Sequence, residues 1–205
     1  MIEALWPSRC AGCGRLHDGR LCRDCIPLGV HRVPLQECAI RGAFTLTGYD
    51  ASMGHALRTA KFRPDRDLAW KVGRHFGVEM AHALRGGRFS AIVPAPSPWQ
   101  RRLKRGFSLP AILAAELSRA TRVPVVHALR ARAGPRQATL DVHARRHNLR
   151  GRIRSRVSIS GTVLLVDDVV TTGATADACA RELLGDGTRA VWLLTVCAQR
   201  SRRVT

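Results

Sequence analysis

Apolar positions along this chain fall into two kinds of run. Short stretches rich in apolar β-formers occur at Phe89–Val93, Val123–Val126 and Ala190–Val196, and an unbroken one at Val163–Val166. Runs of this length with no polar alternation predict strands buried on both faces. Between them the apolar residues recur at helical spacing. Met53, Ala56, Leu57 and Ala60 mark a helix over Asp50–Phe62, and Leu68, Val72, Phe76, Met80 and Ala83 mark a second over Arg66–Leu84. Arg63-Pro64-Asp65 separates the two, and Gly86-Gly87 ends the second. Ser108 is placed to cap a helix over Ala111–Arg119, with Pro110 early in its first turn, and a last helix spans Ala176–Leu184. Residues 39–49 show partial alternation flanked by glycines, which predicts a short β-hairpin or edge pair. Strands alternating with helices in this order predict an α/β domain built on a parallel sheet flanked by helices.

Length and composition fit that picture. The chain has 205 residues, enough for one domain and a small appendage, and 45% of them are hydrophobic. Ten are aromatic, so the core is expected to be mostly Ala, Val and Leu. No apolar run approaches the length of about eighteen residues that a membrane span needs, and the first ten residues lack a basic region followed by a long apolar one. The expectation is a soluble, cytoplasmic protein. Charge is the outlier, with 34 basic and 15 acidic residues giving +19. Lysine stands only at Lys61, Lys71 and Lys104, and the remaining basic residues are arginines. A field this positive favours nucleic acids or phosphorylated small molecules.

Candidate chemistry begins with Cys10, Cys13, Cys22 and Cys25, two C-x-x-C pairs eight residues apart. Each pair can present two thiolates to one metal, and four complete a tetrahedral zinc site. Disulfides are the competing use, which a cytosolic setting disfavours. A segment this short lacks the apolar mass for its own core, so the metal would supply its folding energy. Cys38, Cys179 and Cys197 lie outside the spacing and read as small buried or free thiols.

The strand Val163–Val166 runs straight into Asp167 and Asp168, then into Thr171, Thr172, Gly173, Ala174 and Thr175 before a helix. In parallel sheets the ligand site lies past the carboxyl ends of the strands. A glycine-containing loop at a helix start offers backbone N–H groups to an anion. The carboxylates suit sugar hydroxyls and the loop suits a phosphate, so the two parts fit one ligand. A plain helix cap needs only one such residue. Two basic segments remain open between a solvated surface and an anion contact: Lys61–Arg66, and Arg130–Arg156 with its nine arginines.

This stretch resembles the signature of type I phosphoribosyltransferases: apolar strand, acidic pair, apolar pair, then T-T-G. The resemblance implies that Asp167 and Asp168 hold the ribose hydroxyls of phosphoribosyl pyrophosphate (PRPP) and that residues Thr171, Thr172, Gly173, Ala174 and Thr175 cradle its 5′-phosphate. It implies magnesium with PRPP. Ser97, at the end of the first buried strand, and Arg101, Arg102, Lys104 and Arg105 beyond it would meet the pyrophosphate or another polyanion.

Further stretches narrow the resemblance to the ComF family, the competence-associated branch. They are the C-x-x-C pairs, Tyr49–Ala69, Ile92–Phe107 and Gln137–Gly151, which includes Gln137, Thr139, Arg145, Arg146 and Asn148. The family usually continues R-G-F with Asn-Gln, whereas this chain has Ser108-Leu109, which removes amides that would contact an acceptor. The resemblance implies a zinc ribbon and connector over 1–34 and a phosphoribosyltransferase-like domain over 35–205. It implies a link to DNA uptake and natural transformation, with single-stranded DNA and competence or replication-restart proteins as partners. The alternative is a catalytic phosphoribosyltransferase of the nucleotide-salvage type acting on an unknown acceptor, with no DNA role.

Overall fold

Three of the apolar runs form strands that need cover on both faces, and that cover determines the architecture. The computed structural model describes residues 8–17, 20–35, 38–49, 51–62, 65–97, 103, 105–131 and 152–199. An amino-terminal antiparallel pair, β1 (Ser8–Arg9) and β2 (Leu16–His17), precedes a short 3-10 turn at Arg23–Cys25. Then come β3 (His31–Arg32), β4 (Gly42–Gly48), α1 (Ser52–Phe62), α2 (Arg66–Ala83) and β5 (Ala91–Pro94). The remaining elements are α3 (Leu109–Thr121), β6 (Leu129–Ala131), β7 (Ile153–Ser155), β8 (Gly161–Val170), α4 (Ala174–Gly185) and β9 (Thr188–Ala198).

The main sheet has the order β3-β4-β9-β8-β5, with β4, β9, β8 and β5 parallel and β3 antiparallel at the edge. One face carries α1, α2 and α3, whose Met53, Leu57, Leu68, Phe76, Leu113 and Leu117 pack on Ile92, Leu164, Val166 and Leu194. The other carries α4 and the β6–β7 pair, with Cys179, Ala180, Leu183, Leu129 and Ile153 against Val163, Leu165, Val191 and Leu193. This is the expected α/β class, a mostly parallel sheet flanked by helices. Phe76 is the one aromatic in the buried core of the described residues, as the composition predicts.

Three details depart from the sequence reading. Residues 39–49 do not form a hairpin: Gly42–Gly48 is a single strand inside the sheet, and its edge partner is β3 from the connector. Val123–Val126 is reduced to one bridge between Ile92 and Val125. Pro124 has no N–H to donate, so only its carbonyl joins, accepting from the Ile92 N–H at 2.8 Å. Finally, β8 does not stop before the acidic pair. It stays paired with β9 through Val170, because β9 is long enough to supply Thr195, Cys197 and Ala198 as partners.

Packing of α2 on α3 depends on close approach. A Cβ at Gly77 would lie 2.7 Å from the backbone carbonyl of Glu116, and one at Gly73 would meet Ile112 at 2.9 Å. Ser108 occupies the cap position of α3 with Pro110 in the first turn, although its side chain makes no capping hydrogen bond. Among the described residues, no helix is long and apolar enough to cross a membrane.

Candidate functional site

Because β4, β9, β8 and β5 are parallel, their carboxyl ends share one edge of the sheet, and the candidate groups collect there. The Ala95 N–H donates to the Val166 carbonyl at 2.8 Å, which places the loop containing Ser97 beside the start of the acidic pair. On a strand, successive side chains point to opposite faces. Asp167 accordingly lines a recess of about 40 Å³ with Thr171, Thr172, Gly173, Ala174 and Thr175 on the α4 side. Asp168 turns to the α1 side and pairs with Lys61 at 2.8 Å. The two carboxylates therefore straddle the sheet rather than lying side by side.

The Thr/Gly loop lies between β8 and α4. Gly173 has a φ of 75° and caps α4 in the left-handed region, which favours glycine. The Thr172 hydroxyl accepts from the Ala174 N–H at 3.4 Å, and the Gly173 carbonyl accepts from the Asp177 N–H at 2.8 Å. The helix thus starts two residues earlier than its apolar spacing predicts, directly at the loop.

Electrostatics separates the two acids. Burial, with the neighbouring Asp168 charge adding to it, pushes the Asp167 carboxyl up to about 7, against the opposing pull of the Asp168 N–H and Lys61. Asp167 Oδ1 accepts that N–H at 2.8 Å. Beneath the pair, burial holds the Cys197 thiol up at about 12, in the field of Lys61, Asp168 and Arg58. Thr195 lies opposite Asp167 in the β8–β9 register, and its buried hydroxyl has no hydrogen-bond partner.

The second centre is the cysteine cluster. One ligand atom from each of Cys10, Cys13, Cys22 and Cys25 lies within 4.8 Å of the others. The Cys13 and Cys22 sulfurs are 3.8 Å apart, the spacing that a tetrahedral site with Zn–S bonds of about 2.3 Å requires. Gly12 and Cys22 donate backbone N–H groups to Cys10 Sγ at 3.4 and 3.3 Å. Burial alone would raise the Cys10 thiol, but the N–H groups of Cys13, Cys22 and Gly12 together bring it down to about 6. Burial instead pushes the Cys25 thiol up to about 12, so it is the four-sulfur geometry that fits structural zinc. Cys25 is buried against the start of α1, where a Cβ on Gly12 would meet its sulfur at 2.8 Å and the Ser52 carbonyl at 3.1 Å.

A cavity of about 950 Å³ adjoins this cluster and the start of α2 rather than the acidic pair. Its cations Arg9, Arg20 and Arg66 share the walls with Asp65 and Asp67, and Arg20 is paired with Asp65 at 3.4 Å. Asp167 and the Thr/Gly loop, singled out in the sequence as a ligand site, line the smaller recess, not this cavity.

Of the expected pyrophosphate contacts, Ser97 and Arg105 are described, whereas Arg101, Arg102 and Lys104 lie outside the described residues. Gln137, Thr139, Arg145, Arg146 and Asn148 also lie outside them. Lys61 and Thr195 were not singled out in the sequence. Lys61 carried a signal, as a cation in a basic interhelical segment; Thr195 carried none, being one polar residue in an apolar strand.

No family model matches the chain. It is 29% identical over 202 residues to the DNA utilization protein YhgH of Escherichia coli strain K12, covering 92% of this chain and 89% of that protein. The protein of the same name from Salmonella typhi is 26% identical over 210 residues, with the same coverage. Among solved structures, adenine phosphoribosyltransferase from Saccharomyces cerevisiae has a TM-score of 0.40 at 15% identity, covering 82% of this chain and 84% of that one. Orotate phosphoribosyltransferase from Aeropyrum pernix has a TM-score of 0.36 at 20% identity, covering 70% and 64%. The chain is thus similar over nine-tenths of its length to proteins named for DNA utilization, and its four-cysteine cluster is in place.

Proposed function

We propose that the chain binds PRPP at the carboxyl edge of the sheet and acts in DNA handling during DNA uptake and natural transformation. The observation that carries the first half is the continuity of the site: β8 delivers Asp167 and Asp168 and turns at once into the Thr/Gly loop that opens α4. Asp167 and Asp168 accept from the ribose hydroxyls, residues Thr171, Thr172, Gly173, Ala174 and Thr175 take the 5′-phosphate, and Ser97 with Arg101, Arg102, Lys104 and Arg105 faces the pyrophosphate. Asp168 already carries an ammonium group, so the pair suits a magnesium ion that arrives with the ligand's oxygens better than a bare one. When bound, that magnesium would stabilise a leaving pyrophosphate.

The DNA half rests on the relatives named for DNA utilization and on the +19 charge. Partners of this kind include single-stranded DNA and competence or replication-restart proteins. Zinc at the four cysteines serves the fold. Phosphoribosyl transfer to an acceptor is the second reading, favoured by the intact acidic pair, and release of pyrophosphate from PRPP is its assay.

Thermal melts test the ligand. PRPP with magnesium should raise the Tm more than ribose 5-phosphate or pyrophosphate does alone, because only PRPP engages the acids, loop and basic run together. Equal shifts from pyrophosphate alone would show a generic anion effect and remove the reading.

A further inference from the structure

The ion pair between Lys61 and Asp168 sits at the centre of the candidate site. Lys61 lies in the last turn of α1, and its Nζ is 2.8 Å from Asp168 Oδ1, with the side chains 20% and 13% exposed. A pair this shielded from water interacts strongly, and losing one partner leaves an uncompensated charge. Asp167 stands next to it on β8, so the lysine offsets one of two adjacent carboxylates.

Of the two cations near the end of α1, Arg58 is engaged by the fold and Lys61 by Asp168. The start of α1 is locked to the end of β4, since a Cβ at Gly54 would lie 1.9 Å from the Tyr49 carbonyl oxygen. Arg58, one turn before Lys61, stacks over the Tyr49 ring at 4.9 Å and donates to the Tyr49 carbonyl at 3.3 Å. Arg58 is thus committed to holding the helix. Lys61, with four rotatable methylenes and a point charge, can change partners without backbone movement.

We propose that Lys61 is an internal counterion gate for the acidic pair. Bound to Asp168, it keeps bare divalent cations off the site. When a ligand's hydroxyls take over Asp168, the released ammonium turns to the anionic groups of the same ligand. The second half rests on the PRPP reading; the first does not. The role explains why an acidic pair on an exposed sheet edge holds a lysine from a distant helix. It also makes metal binding depend on the phosphorylated ligand.

The test uses the zinc-loaded full chain and follows free Mn²⁺ by electron paramagnetic resonance. Wild type and Lys61→Arg should bind Mn²⁺ weakly, and Lys61→Met should bind it at least about tenfold more tightly, because the Asp168 charge is then uncompensated. Lys61→Met/Asp168→Asn should return to the weak binding of wild type. In parallel, Lys61→Met should lose about tenfold in affinity for PRPP with magnesium, which a lysine of merely structural role would not combine with tighter Mn²⁺ binding. Melting curves confirm folding, and Lys61→Gln carries the same contrast if Lys61→Met does not fold. Equal Mn²⁺ affinity in wild type and folded Lys61→Met would overturn the gate, whatever PRPP does. The Mn²⁺ contrast without any PRPP binding to wild type would keep the counterion and remove the PRPP reading.

Discussion

At the scale of single residues, the acidic pair behaves as two different groups. Asp167 is raised to about 7 from an ordinary 3.8, mainly by burial. A folded-state value above the unfolded one means that the native state holds the proton more tightly. The associated stability is complete below about pH 4 and is lost as pH rises to about 7. A shift of this size, about three pH units at roughly 1.4 kcal/mol each, costs a few kcal/mol once the carboxyl ionises. Asp167→Asn removes that term. Its Tm relative to wild type should therefore rise between pH 5.5 and pH 8; a constant difference across that range would show that Asp167 ionises normally. Lys61 was legible only as part of a basic segment; its pairing with Asp168 was not, because the two are distant in sequence and only the packing of α1 on the sheet brings them together. Gly173 was legible, because a left-handed turn at a helix start leaves a local mark.

At the scale of elements, apolar runs and three-to-four spacing made most strands and helices legible, Val123–Val126 excepted, where Pro124 leaves a single bridge. The strand β8 exceeded its apolar run because pairing with β9 continues past Val166, through two carboxylates that no strand pattern includes. The interior position of β4 was illegible for a related reason. Its partners lie near the two ends of the chain, in β3 and β9, and alternation alone cannot distinguish an edge pair from an inserted strand. Helix packing also has a sequence-silent component. Gly77 of α2 meets the α3 backbone so closely that Gly77→Ala should destabilise the fold by about 2 kcal/mol, read as a lower urea midpoint at unchanged m-value. An unchanged midpoint would mean that α2 and α3 can separate slightly at little cost. The cysteine knuckles, by contrast, were fully legible as spacing, and the structure brings all four together. Because Cys25 packs on the first turn of α1, stripping the metal with a chelator should lower the melting temperature of the whole chain, not only release an amino-terminal segment. A melt unaffected by chelation, with zinc loss confirmed by absorption spectroscopy, would contradict that coupling.

At the scale of the whole molecule, the charge of +19 and the sheet-edge site belong to one account. A polyanion held by several arginines releases counterions, so binding to single-stranded DNA should weaken steeply with salt, with a log–log slope of several units. A flat salt dependence would assign the positive charge to solubility rather than to DNA. Few aromatics are available for base stacking, so affinity should depend little on base sequence.

The acidic pair and the Thr/Gly loop are proposed above as a working PRPP site. Calorimetric titration of PRPP with magnesium into wild type and Asp167→Ala/Asp168→Ala tests it most directly. The account predicts saturable heat with wild type and none with the folded double variant. Absence of heat with zinc-loaded, folded wild type, or equal heat with both proteins, would contradict it.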